Sequence, residues 1–394
     1  MGESSPWKLA VYAVVLAFLL FQAQKVLLPV LSDIDSTQWD FEKDYYGAVA
    51  YSRGYNPYHN SDLARVSGKH MALPYVYPPL TIGFYRLFAF LRYDSAQYVF
   101  LALKALLLVG LMRLWGWRMV ESGSKSEFAV FTVLAYNSTA LIDLHTGNVA
   151  MLEQALLWLG FHYYLKGDLM RFTGFTLAAA SFKVLPIAFL GLLLFSDDDR
   201  RHKYLLTSAA IFMAYLLLPA FLMPGLFDGY VRNLEITIFH LRSERGMINP
   251  STLALVKDLT VLWSFILGLE PPANAHLILY LAMAAAVVSV SARAVSELRR
   301  RNDRRMLLFF LVLVYALLAP RMKDYGYVIL IPSTFYAAGL PRFRSYRPLI
   351  LLAGMVPVSV LQPHPEFLLG MWGYYALAYA YLIWVLYVIE AAGE

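Results

Sequence analysis

Residues 39–47 form a short polar stretch, Trp-Asp-Phe-Glu-Lys-Asp-Tyr-Tyr-Gly, just after the first long apolar run of the chain. Asp40 and Asp44 flank an aromatic segment next to the membrane, where a carboxylate is partly desolvated and tuned toward general-base work. Either aspartate is a candidate base, and the alternative is an acidic loop that is simply solvated. Tyr45 and Tyr77 are candidate substrate contacts, and the Tyr-Pro-Pro-Leu corner that holds Tyr77 is a candidate wall of the site.

Three cations are suited to binding a phosphate group. Lys183 lies within an apolar run, in the sequence Phe-Lys-Val-Leu-Pro, and an intramembrane lysine beside a helix break usually faces a polar cavity. Arg321 and Lys323 follow a later apolar run, and arginine offers phosphate a bidentate fork where lysine offers a point charge. We predict that Lys183, with Arg321 or Lys323, binds phosphate; ordinary loop charge is the alternative for the last two.

Further polar residues, between apolar runs or at their ends, are candidate substrate contacts. They are His145, Asn148, His240, Arg242, Glu244, Asn249, Asp324 and Tyr325. Glycines near residues 240–249 would let that segment close over a substrate, although a solvated connector explains them equally well.

Composition and motifs argue against several classes of function. The chain has no cysteine, and its eight histidines lack the spacing of a metal site, so we expect neither a metal nor a cofactor. No glycine-rich phosphate loop appears, which disfavours nucleotide hydrolysis. The net charge of +6 comes from short basic clusters between apolar runs, which is the pattern of cytoplasmic membrane loops and not of a nucleic-acid-binding protein.

The elements that must position these residues are membrane helices. Apolar residues make up 59% of the 394 residues and charged residues only 15%, which predicts an all-α polytopic membrane protein. Long apolar runs recur along the chain and predict about twelve membrane segments in a single domain, 1–394. Between them lie two large loops, 32–93 and 224–273, with short juxtamembrane helices.

Lys104, a single lysine in an apolar helix, is interpreted as a packing or lipid contact.

The basic clusters predict the topology. Both termini and all five clusters are expected in the cytoplasm, with the two large loops on the opposite side of a plasma membrane. This arrangement requires the run 173–196 to cross twice or to dip in and return, and the Phe182–Pro186 segment supplies the break. Asp40, Asp44, Lys183, Arg321 and Lys323 then share the extracytoplasmic side.

Five sequence patterns together resemble glycosyltransferase family 87. They are Asp-Phe followed by Tyr-Tyr and Gly-x-x-Pro-Tyr at 40–58, Tyr-Pro-Pro-Leu at 77–80, Gly-Asn at 147–148, Phe-Lys-x-x-Pro at 182–186 and Asn-x-Ser at 249–251. The resemblance covers about residues 1–340. It implies the GT-C fold of membrane glycosyltransferases, with an aspartate of the first external loop as the base. Asp40 matches the family aspartate before Phe, and Asp44 remains its competitor.

The resemblance also implies the reaction. The expected enzyme moves a hexose from a polyprenyl-phosphate donor to a hydroxyl of a glycolipid, polysaccharide or protein. The family resemblance favours mannose as the sugar and inversion at the anomeric carbon. Membrane lipids and these substrates are its expected partners. Two alternatives stay open: an arabinofuranosyltransferase that uses polyprenyl-phosphate-arabinose, and a transporter or flippase of polyprenyl-linked sugars. Broken helices and a buried lysine also fit a transporter.

Overall fold

The structure is a computed structural model, which describes residues 6–71, 74–120, 124–240, 246–272, 274–358 and 371–393. All regular structure in these residues is helical. The candidate substrate contacts Arg242 and Glu244, and the side chain of His240, lie outside the described part of the chain.

The described α-helices are numbered here in chain order. They are α1 Pro6–Gln22, α2 Leu28–Ser32, α3 Trp39–Ser52, α4 Asn60–Ser67, α5 Ile82–Arg86, α6 Tyr93–Leu114, α7 Lys125–Thr146, α8 Ala150–Leu165 and α9 Leu169–Phe182. The remaining ones are α10 Arg201–Leu222, α11 Pro224–His240, α12 Thr252–Leu267, α13 Ala275–Arg300, α14 Arg304–Leu318, α15 Ile331–Ala338, α16 Arg347–Gly354 and α17 Tyr375–Ala392.

Six helical segments of the described chain are long and apolar enough to cross a membrane. They are Leu9–Ser32, Tyr93–Met119, Lys125–Thr146, Arg201–Leu222, Ala275–Arg300 and Tyr375–Ala392. Each coincides with an apolar run of the sequence, so the protein is a multi-pass membrane protein, as predicted. Other predicted segments form shorter helices, such as α8, α14 and α16. The total of about twelve segments therefore stays a prediction.

The two predicted loops consist largely of helix. Residues 32–93 contain α3, α4 and α5 together with 3₁₀ turns at Ile34–Ser36 and Pro79–Thr81. Residues 224–273 contain α11 and α12. Short helices give these segments an internal hydrogen-bond partner for most backbone groups, which loops near a membrane need.

The predicted helix break at Lys183 is confirmed. Helix α9 ends at Phe182, Lys183 has an extended backbone (φ −132°, ψ 128°), and a 3₁₀ helix runs from Leu185 to Phe195 with Pro186 in its first turn. Proline lacks a backbone N–H and its ring crowds the carbonyl four residues earlier, here that of Phe182, which favours the end of the α-helix at this position. The break leaves the lysine side chain at the end of α9 and not on its flank.

Packing divides the chain into two compact units. The first unit comprises Met1–Leu28, Met112–Ile142 and Ser243–Glu394, and the second comprises Pro29–Leu111 and Asp143–Arg242. The second unit has an aromatic core in which Phe41 of α3 stacks on Phe100 of α6, with ring centroids 4.3 Å apart. This core fixes the orientation of α3, the helix that carries Asp40 and Asp44.

Candidate functional site

Asp40 lies in the first turn of α3, in the second unit, and keeps part of its side chain accessible. The exposed fraction of that side chain is 14%. Lys43 Nζ donates to Asp40 Oδ1 at 3.1 Å, and Asn148 Nδ2 donates to Asp40 Oδ2 at 2.8 Å. A carboxylate held from both sides by donors has a fixed orientation, and its exposed edge can still receive a proton from a bound hydroxyl.

Asn148 reaches Asp40 because the turn before α8 is built around it. Its Oδ1 accepts a hydrogen bond from the backbone N–H of Ala150 at 3.0 Å, so its NH₂ group must face the opposite way, toward Asp40. Gly147 precedes it with φ +70°, and a Cβ there would lie 2.9 Å from Phe41 Cβ and 3.0 Å from Gln38 Cα. Only glycine allows this turn to approach the start of α3 so closely.

Lys43 and Asp44 form the buried side of this arrangement. Lys43 Nζ lies 3.4 Å from Asp44 Oδ1, and the Asp44 side chain is fully buried. Burial raises the pKa of Asp44 to about 7, against the opposing charge of Lys43. Burial alone would lower the pKa of Lys43, but the charges of Asp40 and Asp44 raise it. The lysine therefore stays charged between two carboxyl groups, of which Asp44 is the one that takes up a proton more readily than usual.

Two tyrosines predicted as substrate contacts have different surroundings. Tyr77 touches the polar residues: Asn148 Nδ2 donates to its hydroxyl at 3.3 Å, and Lys43 Nζ lies 5.5 Å from its ring centroid. The side chain of Tyr45 is buried, and its hydroxyl donates to the carbonyl of Leu91 at 2.8 Å. In this structure Tyr45 therefore packs α3 in place, whereas Tyr77 lies beside Asp40.

Lys183 has a carboxylate partner that the sequence analysis did not single out. Its Nζ lies 3.0 Å from Glu153 Oε2; the exposed fractions of the two side chains are 27% and 7%. The backbone before it is held by Phe182, whose ring meets Phe84 edge-on, and by the Ser181 carbonyl, which accepts from the Tyr215 hydroxyl at 2.8 Å. The cation is thus half-buried, positioned and close to a buried anion.

Lys104 is not a lipid contact, so that alternative is wrong; its side chain packs inside the protein as one half of an ion pair. Its Nζ lies 3.0 Å from Asp143 Oδ2 and also donates to the Asp143 carbonyl, and the two side chains are at most 1% exposed. Both residues lie within electrostatic range of Asp40 and Lys183. The charged side chains of the second unit therefore lie close enough to influence one another, and the buried Lys104–Asp143 pair is among them.

A further predicted contact, His145, lies near the start of α3. The imidazole of His145 is half-buried and meets the exposed indole of Trp39 edge-on, with ring centroids 5.2 Å apart. The carbonyl of His145 accepts from the backbone N–H of Gln38 at 2.8 Å. His145 therefore helps to join the end of α7 to the start of α3.

The remaining predicted residues belong to the first unit. Asn249 Oδ1 accepts from the backbone N–H of Met322 at 2.9 Å, and the hydroxyl of Ser251 donates to the Pro320 carbonyl at 2.8 Å. These bonds fasten the segment that bears the half-buried side chains of Arg321, Lys323, Asp324 and Tyr325. Asn249 is buried, so in this structure it organises that segment through its amide oxygen.

Sequence reasoning missed Lys43, Asp143 and Glu153. Lys43 lies three residues after Asp40, a spacing that puts both on one face of a helix. Asp143 and Glu153 are charges in or beside apolar runs, and such residues need partners inside the protein. Those two signals were available, but the identity of each partner depends on tertiary packing.

Among the described residues, no group of three His, Asp or Glu side chains is arranged to hold a metal ion.

Comparison with known proteins gives one match. The model of a family described as Glycosyltransferase family 87 matches residues 75–320, more than half of the chain. The matched part includes Tyr77, Asn148, Lys183 and Asn249, and it begins after Asp40 and Asp44. No curated protein and no solved structure matches the chain.

Proposed function

The chain belongs to glycosyltransferase family 87, and on that premise we propose that it transfers a hexose, mannose in the first instance, from a polyprenyl-phosphate donor to a hydroxyl acceptor. A glycolipid, a polysaccharide or a protein would carry that hydroxyl. A donor with a polyprenyl tail suits an enzyme whose charged residues lie among membrane helices, because the tail can stay in hydrocarbon while the sugar and phosphate meet polar groups. We place the reaction on the extracytoplasmic side, as the distribution of basic loops predicts.

The observation that carries the proposal is the partly exposed carboxylate of Asp40, held by Lys43 and Asn148. A general base must come within hydrogen-bond reach of the proton it removes. Asp44 is fully buried behind Lys43, so an acceptor hydroxyl has no access to it in this conformation. We therefore assign the base to Asp40 and give Asp44 the part of a charge partner for Lys43.

In the proposed step the acceptor oxygen attacks the anomeric carbon from the face opposite the phosphate. The O–H proton passes to Asp40, the new C–O bond forms, and the bond from the anomeric carbon to the phosphate oxygen breaks. The electron pair of that bond leaves with the oxygen, which gives polyprenyl phosphate, and the configuration at the anomeric carbon inverts. A phosphate leaving group is acidic enough to depart without a separate general acid.

Lys183 is the proposed partner of the donor phosphate. It is a half-exposed cation at a helix break, which can stabilise the charge that develops on the leaving oxygen. Tyr77, His145 and Asn148 are proposed sugar or acceptor contacts in the second unit. For Arg321, Lys323, Asp324, Tyr325 and Asn249 the substrate role remains a prediction from the sequence.

The proposal is tested by incubating purified protein with radiolabelled polyprenyl-phosphate-mannose and a membrane lipid extract. We expect a labelled product that is absent without the protein. Transfer from polyprenyl-phosphate-arabinose but not from the mannose donor would change the sugar and keep the mechanism. Transfer from neither donor, with each donor appearing on the opposite side of sealed vesicles, would indicate a flippase and contradict the proposal.

A further inference from the structure

The carboxylate of Glu153 is an unexpected neighbour for a phosphate-binding lysine. Glu153 lies in the first turn of α8, nearly buried, with its Oε2 3.0 Å from Lys183 Nζ. A carboxylate in that position weakens the attraction of Lys183 for any anion. Keeping a charged carboxylate away from water also costs free energy unless a partner offsets it. A site built only to bind phosphate tightly would not contain it.

The other lysines of this neighbourhood also have carboxylate partners. Lys104 is paired with Asp143, and Lys43 lies between Asp40 and Asp44. Removing the Glu153 charge would therefore raise the net charge beside Lys183 by one, in a neighbourhood where Lys43 and Lys104 also have carboxylate partners. The anion that gains most from such a change is the one with the greater charge.

Donor and product differ in charge. A polyprenyl-phosphate sugar is a phosphodiester with one negative charge, whereas the product, polyprenyl phosphate, is a monoester with about 1.5 to 2 negative charges at neutral pH. A strongly cationic site would bind the product more tightly than the donor, and product release would then limit turnover.

We propose that Glu153 sets the charge selectivity of the phosphate subsite, so that the singly charged donor binds and the more highly charged product is released. The inference rests on the proposed function, because it assumes a polyprenyl-phosphate donor. Glu153 acts through Lys183 and is a specificity-determining residue, not a base or an acid. Lys183 and Glu153 together present a nearly neutral pair to the incoming phosphate.

The test compares two soluble probes, farnesyl phosphate and its methyl diester, as ligands of the purified full-length protein in detergent. In the wild type we expect the two probes to bind within about threefold of each other, since the site favours neither charge. In Glu153→Gln we expect the monoester to bind about tenfold more tightly relative to the diester. The variant makes the site more positive by one charge, and this attracts the more negative ligand more strongly.

Two control variants separate charge from structure. Glu153→Asp keeps the carboxylate and should keep the wild-type ratio of the two affinities. Glu42→Gln removes a carboxylate that pairs with Lys69, and it changes the net charge equally without changing the partner of Lys183. That variant should also keep the wild-type ratio.

Three results would overturn the inference. One is an unchanged affinity ratio in Glu153→Gln. Another is a tenfold or greater preference of the wild type for the monoester, a measurement that does not depend on the variant folding. The third is the same change of ratio in Glu42→Gln. Failure of the proposed function looks different, because neither probe would then bind the wild type and no polyprenyl-phosphate sugar would be used.

Discussion

Two groups of charged residues in the second unit both pair lysine with aspartate. They differ in how accessible the aspartate is from outside the protein. We call Asp40, Lys43, Asp44, Tyr77 and Asn148 the Asp40 cluster. Its aspartate at the start of α3 remains partly exposed. In the Lys104–Asp143 pair both partners are sealed, and the lysine also donates to the backbone of its partner. One set is partly accessible, and the other is enclosed by protein.

The difference shows that charge within an apolar sequence does not by itself mark an active site. A sealed ion pair satisfies its own charges and holds two helical segments together, here α6 and α7. In the Asp40 cluster, by contrast, neutral and cationic donors fix a carboxylate that stays partly accessible. Partial exposure of one carboxylate separates the Asp40 cluster from the Lys104–Asp143 pair. The variants below are chosen to break or sharpen this contrast.

The largest effect is expected when one charge of the sealed pair is removed. Lys104→Met should lower the free energy of unfolding by about 4 kcal/mol, because it leaves Asp143 buried without its cation. Unfolding in detergent, followed by tryptophan fluorescence, measures this change. The double variant Lys104→Met with Asp143→Asn should recover much of the loss. If the single variant is as stable as the wild type, Lys104 and Asp143 are not a structural pair.

Gly147→Ala tests the close approach that brings Asn148 to Asp40. The added Cβ meets Phe41 and Gln38 and also strains a left-handed backbone, so we expect a loss of about 3 kcal/mol in stability. Gly167→Ala is the matched control, because Gly167 has a φ of +77° with no atom within 4 Å of the new Cβ. That control should lose only about 1 kcal/mol. Equal losses in both variants would show that packing at Gly147 is unimportant.

Asn148→Ala sharpens the contrast at the Asp40 cluster alone. The variant removes one donor to the carboxylate, so we expect kcat to fall about tenfold, with donor affinity little changed. Asn148→Gln keeps an amide donor and should restore part of the rate. Steady-state kinetics with the labelled donor measure both. A change in KM alone would place Asn148 in substrate binding and not in orientation of the base.

Asp44→Asn should have the smallest effect on transfer, within about twofold at neutral pH, because its pKa of about 7 already leaves much of it protonated. The pKa of this carboxyl in the unfolded chain is about 3.9. Between the two values the folded protein holds a proton that the unfolded chain has released, so its stability falls as pH rises from about 4 to about 7.

The amide of Asp44→Asn does not titrate, and the variant should flatten that part of the stability profile. Unfolding measured at several pH values between 4 and 8 checks the shape. A variant with the same fall as the wild type would show that Asp44 does not titrate in this range.

Much of the fold could be predicted from the sequence. So could those residues of the candidate site that are polar but stand beside apolar runs. Apolar runs predict the six long helices, and Pro186 with Lys183 predicts the end of α9, because hydropathy and proline geometry act locally. Asp40 and Asn148 stand out as polar residues beside apolar runs. The bond between them depends on Gly147 approaching α3, which is a property of packing.

The carboxylate partners of Lys104 and Lys183 could not be read from the sequence in this way. Lys104 and Asp143 lie in different apolar runs, and Glu153 is far from Lys183 along the chain, so only the assembled unit pairs them. Hydropathy also does not distinguish an exposed carboxylate from a buried one four residues later on the same helix. That distinction separates Asp40 from Asp44.

The most direct test of the account is the rate of transfer by Asp40→Asn and Asp44→Asn, each with its affinity for the donor. The amide in Asp40→Asn cannot accept the acceptor proton, so kcat should fall by about 10³ while donor affinity and unfolding stay near wild type. Asp44→Asn should remain active. Full activity of Asp40→Asn together with loss of activity in Asp44→Asn would contradict the account and move the base to Asp44.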